Sequence, residues 1–594
     1  MPRAAVQHAL ILALIASCIP AAAEEAPPLE LPSAVGNLAR AVEPTAVARG
    51  LARNPANSLP SATLGATDKL RALEAWNSAH RRPYQNGFTR PLPSPLPAQA
   101  GVELPAEARA ATPRSAAGSP VWAARFDVDR ASRLRLHLEH VAVPGDTVFT
   151  VWGLGDAPRS FGLELRGPDG DIWSPSVAGG VVFLEVRWGT ESSAKSGFEV
   201  RELAELFAVV PLLGECLVDA TCISTSTLPS IPGLRKAVAH IEFVDGGDTY
   251  LCSGGLLNDT DAATTLLYFL TANHCISTQS VASSFEAFWD FKTATCDGAV
   301  PDIDMVPRSN GSTLLASSVQ SDFTLLRLAS VPAGRVLLGW SSSGVPSGTK
   351  LSRISHPVPD SAIEPQSFST QTYRTHPQFT CDSEVNGPPW GNLDKFLYSE
   401  PVTGGTFGGS SGSPVVNPSG QVVGQLLGAC GEDPEDGCRT DNYVVDGAFS
   451  ASYPFIAQFL SPGGGGGGST CVPDGDTLCI DNTPGDRRFK VEVGFHTVQA
   501  GGASGNAHAV PLGGLGITHG GLFWFFSIDN PEFLIKVLNG CTSNSRFWVF
   551  YSGATNVGMT ITVTDTTNGH TFVRTNADLH ALATVQDTSA LSCN

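Results

Sequence analysis

Three residues far apart in the sequence have the types that nucleophilic catalysis at a carbonyl needs: His274, Asp322 and Ser411. A serine hydroxyl becomes a nucleophile when a histidine removes its proton and a carboxylate orients that histidine. Ser411 lies in a glycine- and serine-rich run, residues 408–413, that leads into an apolar segment. Small residues around a serine let a substrate carbonyl approach and leave backbone N–H groups free for the developing oxyanion. These three residues are therefore the candidate catalytic set.

The serine and the histidine of this set both have competitors in the sequence. Ser410 and Ser413 lie in the same run as Ser411 and are alternative nucleophiles. Five other histidines have no comparable flanking residues, and we interpret them as ordinary surface or core residues: His356, His376, His496, His519 and His570.

Length and composition predict several β-rich domains. A chain of 594 residues is longer than one typical domain. Only 16% of its residues are charged, and its 62 glycines and 43 prolines favour short strands and turns over long helices. The formal net charge of −19 argues against a nucleic-acid partner.

Residues 1–23 have the features of a secretory signal peptide. Arg3 supplies a positive charge, residues 9–16 are apolar, and three alanines precede Glu24, as at an A-x-A cleavage site. The alternative is a bacterial lipoprotein signal, in which acylated Cys18 would anchor the precursor. No later stretch approaches 18 consecutive apolar residues, so the sequence predicts no membrane span.

The cysteines predict disulfides in an exported protein. Setting Cys18 aside leaves 12 of the 13, in two even groups that suggest two separately cross-linked units. No C-x-x-C pair or histidine cluster suggests zinc, and we expect no metal or cofactor. The predicted disulfide cysteines are Cys216, Cys222, Cys252, Cys275, Cys296, Cys381, Cys430 and Cys438 in the first group, and Cys471, Cys479, Cys541 and Cys593 in the second.

Alternating polar and apolar residues divide the rest of the chain. Residues 24–205 are predicted to form a propeptide that contains a β-sandwich, with a permanent β-domain as the alternative. Short, regularly spaced strands in 206–461 indicate a barrel-type catalytic domain. Residues 462–470 include six glycines and form a flexible linker. Residues 471–594 are predicted to form a second β-sandwich, with its aromatic residues in the core rather than on a sugar-binding surface.

Together these segments resemble a trypsin-like (chymotrypsin-fold) serine endopeptidase, and most closely the bacterial secreted lysyl endopeptidases. The resemblance covers roughly residues 214–453 and rests on the flanks of His274, Asp322 and Ser411 and on the segment 288–291 before Cys296. It implies an all-β fold: a two-barrel protease domain between the two β-sandwiches. It also implies that Ser411 is the nucleophile and that the backbone N–H groups of Gly409 and Ser411 bind the oxyanion.

The same resemblance implies how substrates are selected. Asp441 matches the aspartate at the base of the lysyl endopeptidase specificity pocket, which implies a water-free carboxylate there, although a solvated loop aspartate is the alternative. Residues 424–428, including Gly428, match the strand that pairs with substrate. Leu427 stands where that family has histidine, so arginine should be cut as well as lysine.

The resemblance also suggests some of the disulfide pairs. Cys252 is well placed to pair with Cys275. Spacing leaves the partner of Cys216 open, and our preferred assignment joins Cys216 to Cys430 and Cys381 to Cys438.

The expected function is that of a secreted, monomeric serine endopeptidase that cuts protein or peptide substrates after basic residues. One alternative keeps the catalytic residues but has glutamyl or broad specificity. Another is a protein that binds polysaccharide or a cell surface through its C-terminal domain. Activation is expected to involve cleavage between Lys195 and Cys216, and Arg201 is the last basic residue before Cys216.

Overall fold

The computed structural model confirms an all-β fold with a closed barrel and a half-barrel. The described residues are 24–36, 59–67, 69–80, 83–100, 121–154, 157–167, 169–207, 216–261, 264–359, 363–374, 395–431, 433, 436–461, 471, 473, 475–483, 485–499, 502–513, 517–527 and 530–593. The predicted signal peptide with Cys18, the linker 462–470, Cys381 and His376 lie outside these ranges. Within them, the helices are too short or too polar to cross a bilayer.

The N-terminal region forms two packed sheets, as its alternating pattern predicts. One sheet has the order β3-β5-β11-β7-β8, and the other contains β10-β6-β12-β4. Fully buried Phe126, Leu136, Phe149 and Val200 lie in the core between them. The elements are β1 Glu25–Ala26, β2 Leu29–Leu31, β3 Ser61–Leu64, α1 Leu70–His80, β4 Tyr84–Gln99, β5 Val121–Val128, β6 Arg133–Ala142, β7 Val148–Gly153, β8 Arg159–Phe161, a 3₁₀ turn Leu163–Leu165, β9 Ile172–Trp173, β10 Val177–Ala178, β11 Val181–Arg187 and β12 Gly197–Leu206.

The first barrel of the central region is open, and its sheet continues the N-terminal one because β4 pairs with β14. Its strands follow the path β17-β16-β13-β14-β15-β19-β18. The elements are the 3₁₀ turn Ala220–Cys222, α2 Ile231–Ala237, β13 Val238–Asp245, β14 Asp248–Leu257, β15 Tyr268–Ala272, α3 Gln279–Ser283, β16 Glu286–Phe288, the 3₁₀ turn Ile303–Met305, β17 Arg308–Asn310, β18 Ser312–Ser318 and β19 Phe323–Leu328.

The second barrel is closed. Its strands run β26-β25-β22-β23-β24-β27, and β27 pairs back with β26. The elements are β20 Arg335–Leu337, β21 Trp340–Ser341, β22 Lys350–Ser355, β23 Ser367–Arg374, β24 Phe396–Thr403, β25 Pro414–Val416, β26 Val422–Cys430, β27 Tyr443–Ala448 and α4 Phe449–Leu460.

The C-terminal region is a sandwich of two five-stranded sheets. The prediction that its aromatic residues lie in the core is only partly right: Phe523 and Phe547 are buried, whereas Trp524 and Phe550 are half-buried on the outer face and Phe526 is 52% exposed. The elements are β28 Thr477–Ile480, β29 Phe489–Thr497, β30 Ala503–Asn506, β31 His508–Pro511, β32 Gly520–Trp524, β33 Phe533–Gly540, α5 Cys541–Asn544, β34 Arg546–Gly553, β35 Gly558–Asp565, β36 Thr571–Asn576 and β37 Val585–Ser592.

The disulfides show that both pairs of the preferred assignment are wrong. Cys216 is bonded to Cys438, not to Cys430, so Cys381 cannot pair with Cys438. Cys430 is also disulfide-bonded. The reason is that the turn after β26 folds back toward residue 216. Gly405 lies between the two segments, since a Cβ at this position would be 3.1 Å from Cys216 Sγ and 2.5 Å from the carbonyl oxygen of Gly437, the residue before Cys438. The other described pairs are Cys222–Cys296, Cys252–Cys275, Cys471–Cys479 and Cys541–Cys593.

The last basic residue of the predicted cleavage region lies in a strand. Arg201 belongs to β12, which pairs with β4 on one side and with β6 on the other, and the register of both pairings shifts at residue 201. A protease binds its substrate as an extended segment with free backbone edges. Cleavage at Arg201 would therefore require β12 to leave the sheet first. Residues 208–215 of the predicted region lie outside the described part of the chain.

Buried charges join the N-terminal sandwich to the first barrel. Arg133 on β6 lies 3.0 Å from a Glu242 oxygen on β13 and 3.0 Å from an Asp304 oxygen. Arg135 lies 3.7 Å from Glu286, which also pairs with Arg308 at 3.2 Å. Burial alone would raise the pKa of Glu242, but Arg133 and His240 lower it to about 2. Glu242 is therefore an ionised, buried group that depends on a partner from the N-terminal sandwich.

Replacing Arg133 by methionine should weaken the folded full-length chain strongly. Glu242 would stay buried without its main partner, a situation that costs about 3–5 kcal/mol of stability. Denaturant unfolding of the full-length chain measures this loss. The control Arg201→Met removes an arginine that is 51% exposed and should change stability by about 0.5 kcal/mol or less. Equal effects of the two substitutions would contradict the assignment.

Candidate active site

The register of β15 and β19 brings His274 and Asp322 together. These strands pair antiparallel, with Ala272 opposite Phe323. His274 lies two residues beyond the end of β15, and Asp322 lies one residue before the start of β19. The two residues therefore leave the sheet at the same edge, where the Asn273 N–H donates to the Asp322 carbonyl at 3.0 Å.

Asp322 holds His274 through two hydrogen bonds. The His274 backbone N–H donates to Oδ1 at 2.9 Å, and Nδ1 donates to Oδ2 at 2.8 Å. An ionised carboxylate only accepts hydrogen bonds, so the Nδ1 proton is fixed and Nε2 is left to accept one. Nε2 is buried and forms no hydrogen bond with the residues that the structure describes. This histidine has the tautomer that a general base needs.

The backbone of Asp322 is strained, and the second barrel supports it. Its φ of 50° lies in the left-handed region, which a non-glycine residue adopts at a cost and mostly at functional sites. The Gln425 side-chain amide on β26 donates to the carbonyl of Ser321 at 2.8 Å and to that of Asp322 at 3.2 Å. Gln425 thus links the segment that contains Asp322 to the second barrel, which also contains the three serines.

The three serines of residues 408–413 differ in the hydrogen bonds that their hydroxyl groups form. Ser410 Oγ lies 3.1 Å from Ser355 Oγ. Ser413 Oγ accepts a hydrogen bond from Arg353 at 3.4 Å. The Ser411 hydroxyl forms no hydrogen bond within the described part of the chain, although Ser411 is only 2% exposed. Ser411 therefore has the hydroxyl that is not committed to structure.

The backbone around Ser411 leaves two N–H groups available. The N–H groups of Ser410, Gly412 and Ser413 donate to backbone carbonyls. Those of Gly409 and Ser411 donate to none of the described residues. These are the two groups that an oxyanion-binding site requires.

Two glycines make this turn possible. Gly409 and Gly412 have φ values of 89° and 78°, which favour glycine. A Cβ at position 412 would lie 2.2 Å from Thr271 Oγ1, and one at position 409 would lie 2.7 Å from the His356 carbonyl oxygen. A larger residue at position 412 would therefore push the turn away from β15 of the first barrel, and one at position 409 would push it away from the segment that follows β22.

Sequence reasoning missed residues that hold this turn. Ser253 on β14 joins the two barrels: its N–H donates to the Ser411 carbonyl and its hydroxyl to the Gly409 carbonyl, each at 2.8 Å. Arg353 and Asp446 are fully buried and pair at 2.6 Å beneath Ser413. Ser253 directly follows the disulfide cysteine Cys252, which is the only local signal for it, and no local pattern marks the pair of charges.

The predicted specificity strand lies beside the serine turn. The Gly412 N–H donates to the Leu426 carbonyl at 2.8 Å, which places Leu427 and Gly428 next along β26. The register with β27 shifts between Leu426 and Gly428, so Leu427 lies at a β-bulge. The Leu427 side chain is 6% exposed and packs with Tyr398 and neighbouring apolar residues.

Asp441 does not have the water-free environment that the resemblance implies. Its side chain is 61% exposed, and it accepts a hydrogen bond from Arg439 Nε at 2.7 Å. This hydrogen bond lowers the pKa of Asp441. The prediction of a dry carboxylate is therefore wrong for this structure, because Asp441 lies in the exposed turn before β27 and already has a cationic partner.

Two clusters of possible metal ligands occur in the described part of the chain. One contains Cys252, His274 and Cys275, and the other contains Cys222, Cys296 and Asp297. In each cluster the two sulfurs are joined in a disulfide and offer no thiolate to a metal. The chemistry of these donor sets does not suit a metal ion.

Comparisons with known proteins support a lysyl endopeptidase-like protease. Residues 213–444 match the family model of the lysyl endopeptidase C-terminal domain. The lysyl endopeptidase of Pseudomonas aeruginosa is 25% identical over 414 residues, which cover 62% of this chain and 82% of that protein. A solved structure, a scabies mite inactivated protease paralogue, is 14% identical and covers 39% of this chain and 96% of its own, with a TM-score of 0.27. At that TM-score the similarity supports no conclusion.

Replacing Ser411 by alanine should abolish peptidase activity, with kcat falling by about 10³- to 10⁶-fold and folding unchanged. Ser410→Ala and Ser413→Ala are the matched controls, since each removes a hydroxyl from the same turn. Both should keep far more activity, because their hydroxyls serve the turn and not the reaction. An active Ser411→Ala enzyme together with an inactive Ser413→Ala enzyme would show that the nucleophile was wrongly assigned.

Proposed function

We propose that this chain, a lysyl endopeptidase-like serine endopeptidase, hydrolyses peptide bonds after basic residues through Ser411, His274 and Asp322. The observation that carries the proposal is the His274–Asp322 pair, whose Nε2 forms no hydrogen bond with the described residues. The uncommitted Ser411 hydroxyl lies in a turn that reaches this edge of the first barrel, because a Cβ on the neighbouring Gly412 would lie 2.8 Å from the Ala272 nitrogen. Protein or peptide substrates follow from the endopeptidase assignment.

In the proposed reaction, Ser411 Oγ attacks the peptide carbonyl while His274 Nε2 removes the serine proton. His274 then donates that proton to the leaving amine, which yields the acyl-enzyme. Water enters, loses a proton to His274 and attacks the ester carbon, and the serine regains its proton from His274. Asp322 keeps the imidazole in one tautomer and stabilises the imidazolium that forms twice per cycle.

The negative charge that develops on the carbonyl oxygen needs donors that are already in place. We assign this role to the N–H groups of Gly409 and Ser411. Ser253 and the positive φ values of Gly409 and Gly412 fix the turn before substrate arrives, so little reorganisation is needed during the reaction.

Asp441 is proposed to select basic substrates by exchanging partners. In the free enzyme its carboxylate pairs with Arg439, and a substrate lysine or arginine would take that place. Exchange of one exposed ion pair for another gives little net energy. Lysine and arginine should therefore both be cut, and the preference for basic residues should be moderate. Leu427, at the position where the resemblance to lysyl endopeptidases implies a histidine, adds no charge of its own.

Arg439 favours a second candidate specificity. Its guanidinium is 33% exposed beside the Asp441 carboxylate, and a glutamate side chain could pair with it. A panel of peptides that differ only at the residue before the cut distinguishes these cases. Cleavage after glutamate in preference to lysine would support the glutamyl alternative.

The remaining organisation is proposed from the sequence. Residues 1–23 direct export, the sandwich within 24–205 is a propeptide that is removed after folding, and 471–594 form an accessory domain joined by the glycine linker. Export agrees with the five described disulfide pairs, since these form in oxidising compartments.

The substitution Asp441→Asn should lower kcat/KM for lysine and arginine substrates about tenfold, since an exposed and already paired carboxylate discriminates weakly. Cleavage after uncharged residues should change little, and cleavage after glutamate should not fall. The control is Asp436→Asn, an exposed acid of the same turn, which should leave every substrate unaffected. Equal losses for all substrates would assign Asp441 a structural role instead.

A further inference from the structure

Residues 24–36, which we call the strap, lie along the segment that connects the two barrels. That segment, residues 329–342, is called the connector. The strap's β1 pairs with β21 of the connector, and its β2 pairs with β20. Farther along, Val35 and Val331 exchange backbone hydrogen bonds of 3.0 and 2.8 Å. The strap therefore pairs with the connector at three successive places.

The strap contributes side chains to the cores of the protease region. Ala26 is 1% exposed and belongs to the core that contains Trp340 and Leu338. Leu31 is 5% exposed and belongs to the core of the first barrel, with Leu337. Neither residue takes part in the core of the N-terminal sandwich. By its packing, the strap belongs to the protease and not to the sandwich that follows it in the sequence.

The connector is shaped to accept the strap. A Cβ at Gly339 would lie 2.4 Å from the Ala26 carbonyl oxygen, so a larger residue there would displace the strap. Asn258 on the first barrel donates to the Pro27 carbonyl at 2.8 Å. The Glu24 backbone N–H donates to Ser342 Oγ at 2.8 Å.

The end of the strap also reaches the last helix of the protease region. The Glu24 carboxylate accepts a hydrogen bond from the Tyr453 hydroxyl on α4. The strap thus contacts the connector, the first barrel and α4 within a few residues, and every one of these contacts is to the protease region.

The N-terminal sandwich is attached in a different way. It has its own hydrophobic core, and it joins the first barrel through β4 and the charges around Arg133. Its removal would expose an ionic surface, leave the edge of β14 unpaired and uncover Leu251 and Phe288, which share a small apolar cluster with Tyr84 of β4. Removal of the strap would open two cores and leave the edge of β21 unpaired, which is costly for buried apolar groups and for strands.

We propose that the strap is a constituent strand of the mature protease and stays bound noncovalently after the N-terminal sandwich is removed. The surface formed by the connector, Asn258 and Tyr453 fits an extended peptide with a small residue at the Ala26 position and a leucine five residues later. The proposal rests on the proposed function in assuming two cleavages of the precursor, one between β12 and the protease and one between the strap and β3, where the sequence has Arg40, Arg49 and Arg53.

Mass spectrometry of the matured enzyme, purified natively and then denatured, tests the proposal. We expect one peptide per protease chain that begins at or near Glu24 and includes Gly36. An active enzyme without any residue preceding position 207 would overturn the proposal, as would an active chain that is never cut. Peptidase activity is measured on the same sample, so a failure of the proposed function is recognised separately.

Leu31→Asp provides a second test, with Glu30→Lys as its control on the same strand. Leu31 is buried and Glu30 is exposed. The aspartate should reduce the amount of peptide that copurifies and lower the Tm of the mature enzyme by about 5 °C or more, whereas the control should change neither. A fully stable Leu31→Asp enzyme would contradict the proposal. If this variant does not fold, the measurement on the unmodified enzyme still decides.

Discussion

The double hydrogen bond between His274 and Asp322 is the interaction on which the rest of the site depends. It fixes both the position of the imidazole and its tautomer, and only the second of these makes Nε2 a base. Asp322 can accept both hydrogen bonds because its backbone adopts a strained φ of 50° at the start of β19. That strain persists because strand pairing and Gln425 hold the neighbouring carbonyls.

The two barrels must also approach closely enough for Ser411 to meet this pair. Glycine makes the approach possible: a Cβ at Gly447 would lie 1.9 Å from the Ser321 carbonyl oxygen, and one at Gly412 would meet Thr271. Ser253 then bonds the serine turn to the first barrel. Beneath the turn, Arg353 and Asp446 form an ion pair in which both side chains are fully buried. Removing either residue would leave the other charge buried without its partner. The proposed chemistry thus depends on backbone contacts between the barrels as much as on three side chains.

The sequence predicts the parts of this protein that local patterns specify. Alternation predicts strands, and the residues around His274, Asp322 and Ser411 predict a two-barrel endopeptidase. Contacts between distant segments escape such reasoning. The Cys216–Cys438 bond depends on how the turn before β27 folds back. The exposure of Asp441 depends on the nearby Arg439. The pairing of β12 with both β4 and β6 around Arg201 also depends on segments that are distant in the sequence. The strap was grouped with the propeptide because its short strands have no pattern of their own.

Covalent labelling tests the central claim most directly. A fluorophosphonate reacts with a serine only when a neighbouring base and an oxyanion-binding site activate the hydroxyl. Peptide mapping after treatment of the matured enzyme should locate the label on Ser411 alone, and the His274→Ala enzyme should take up almost none. A label on Ser410 or Ser413, or labelling that does not depend on His274, would contradict the account.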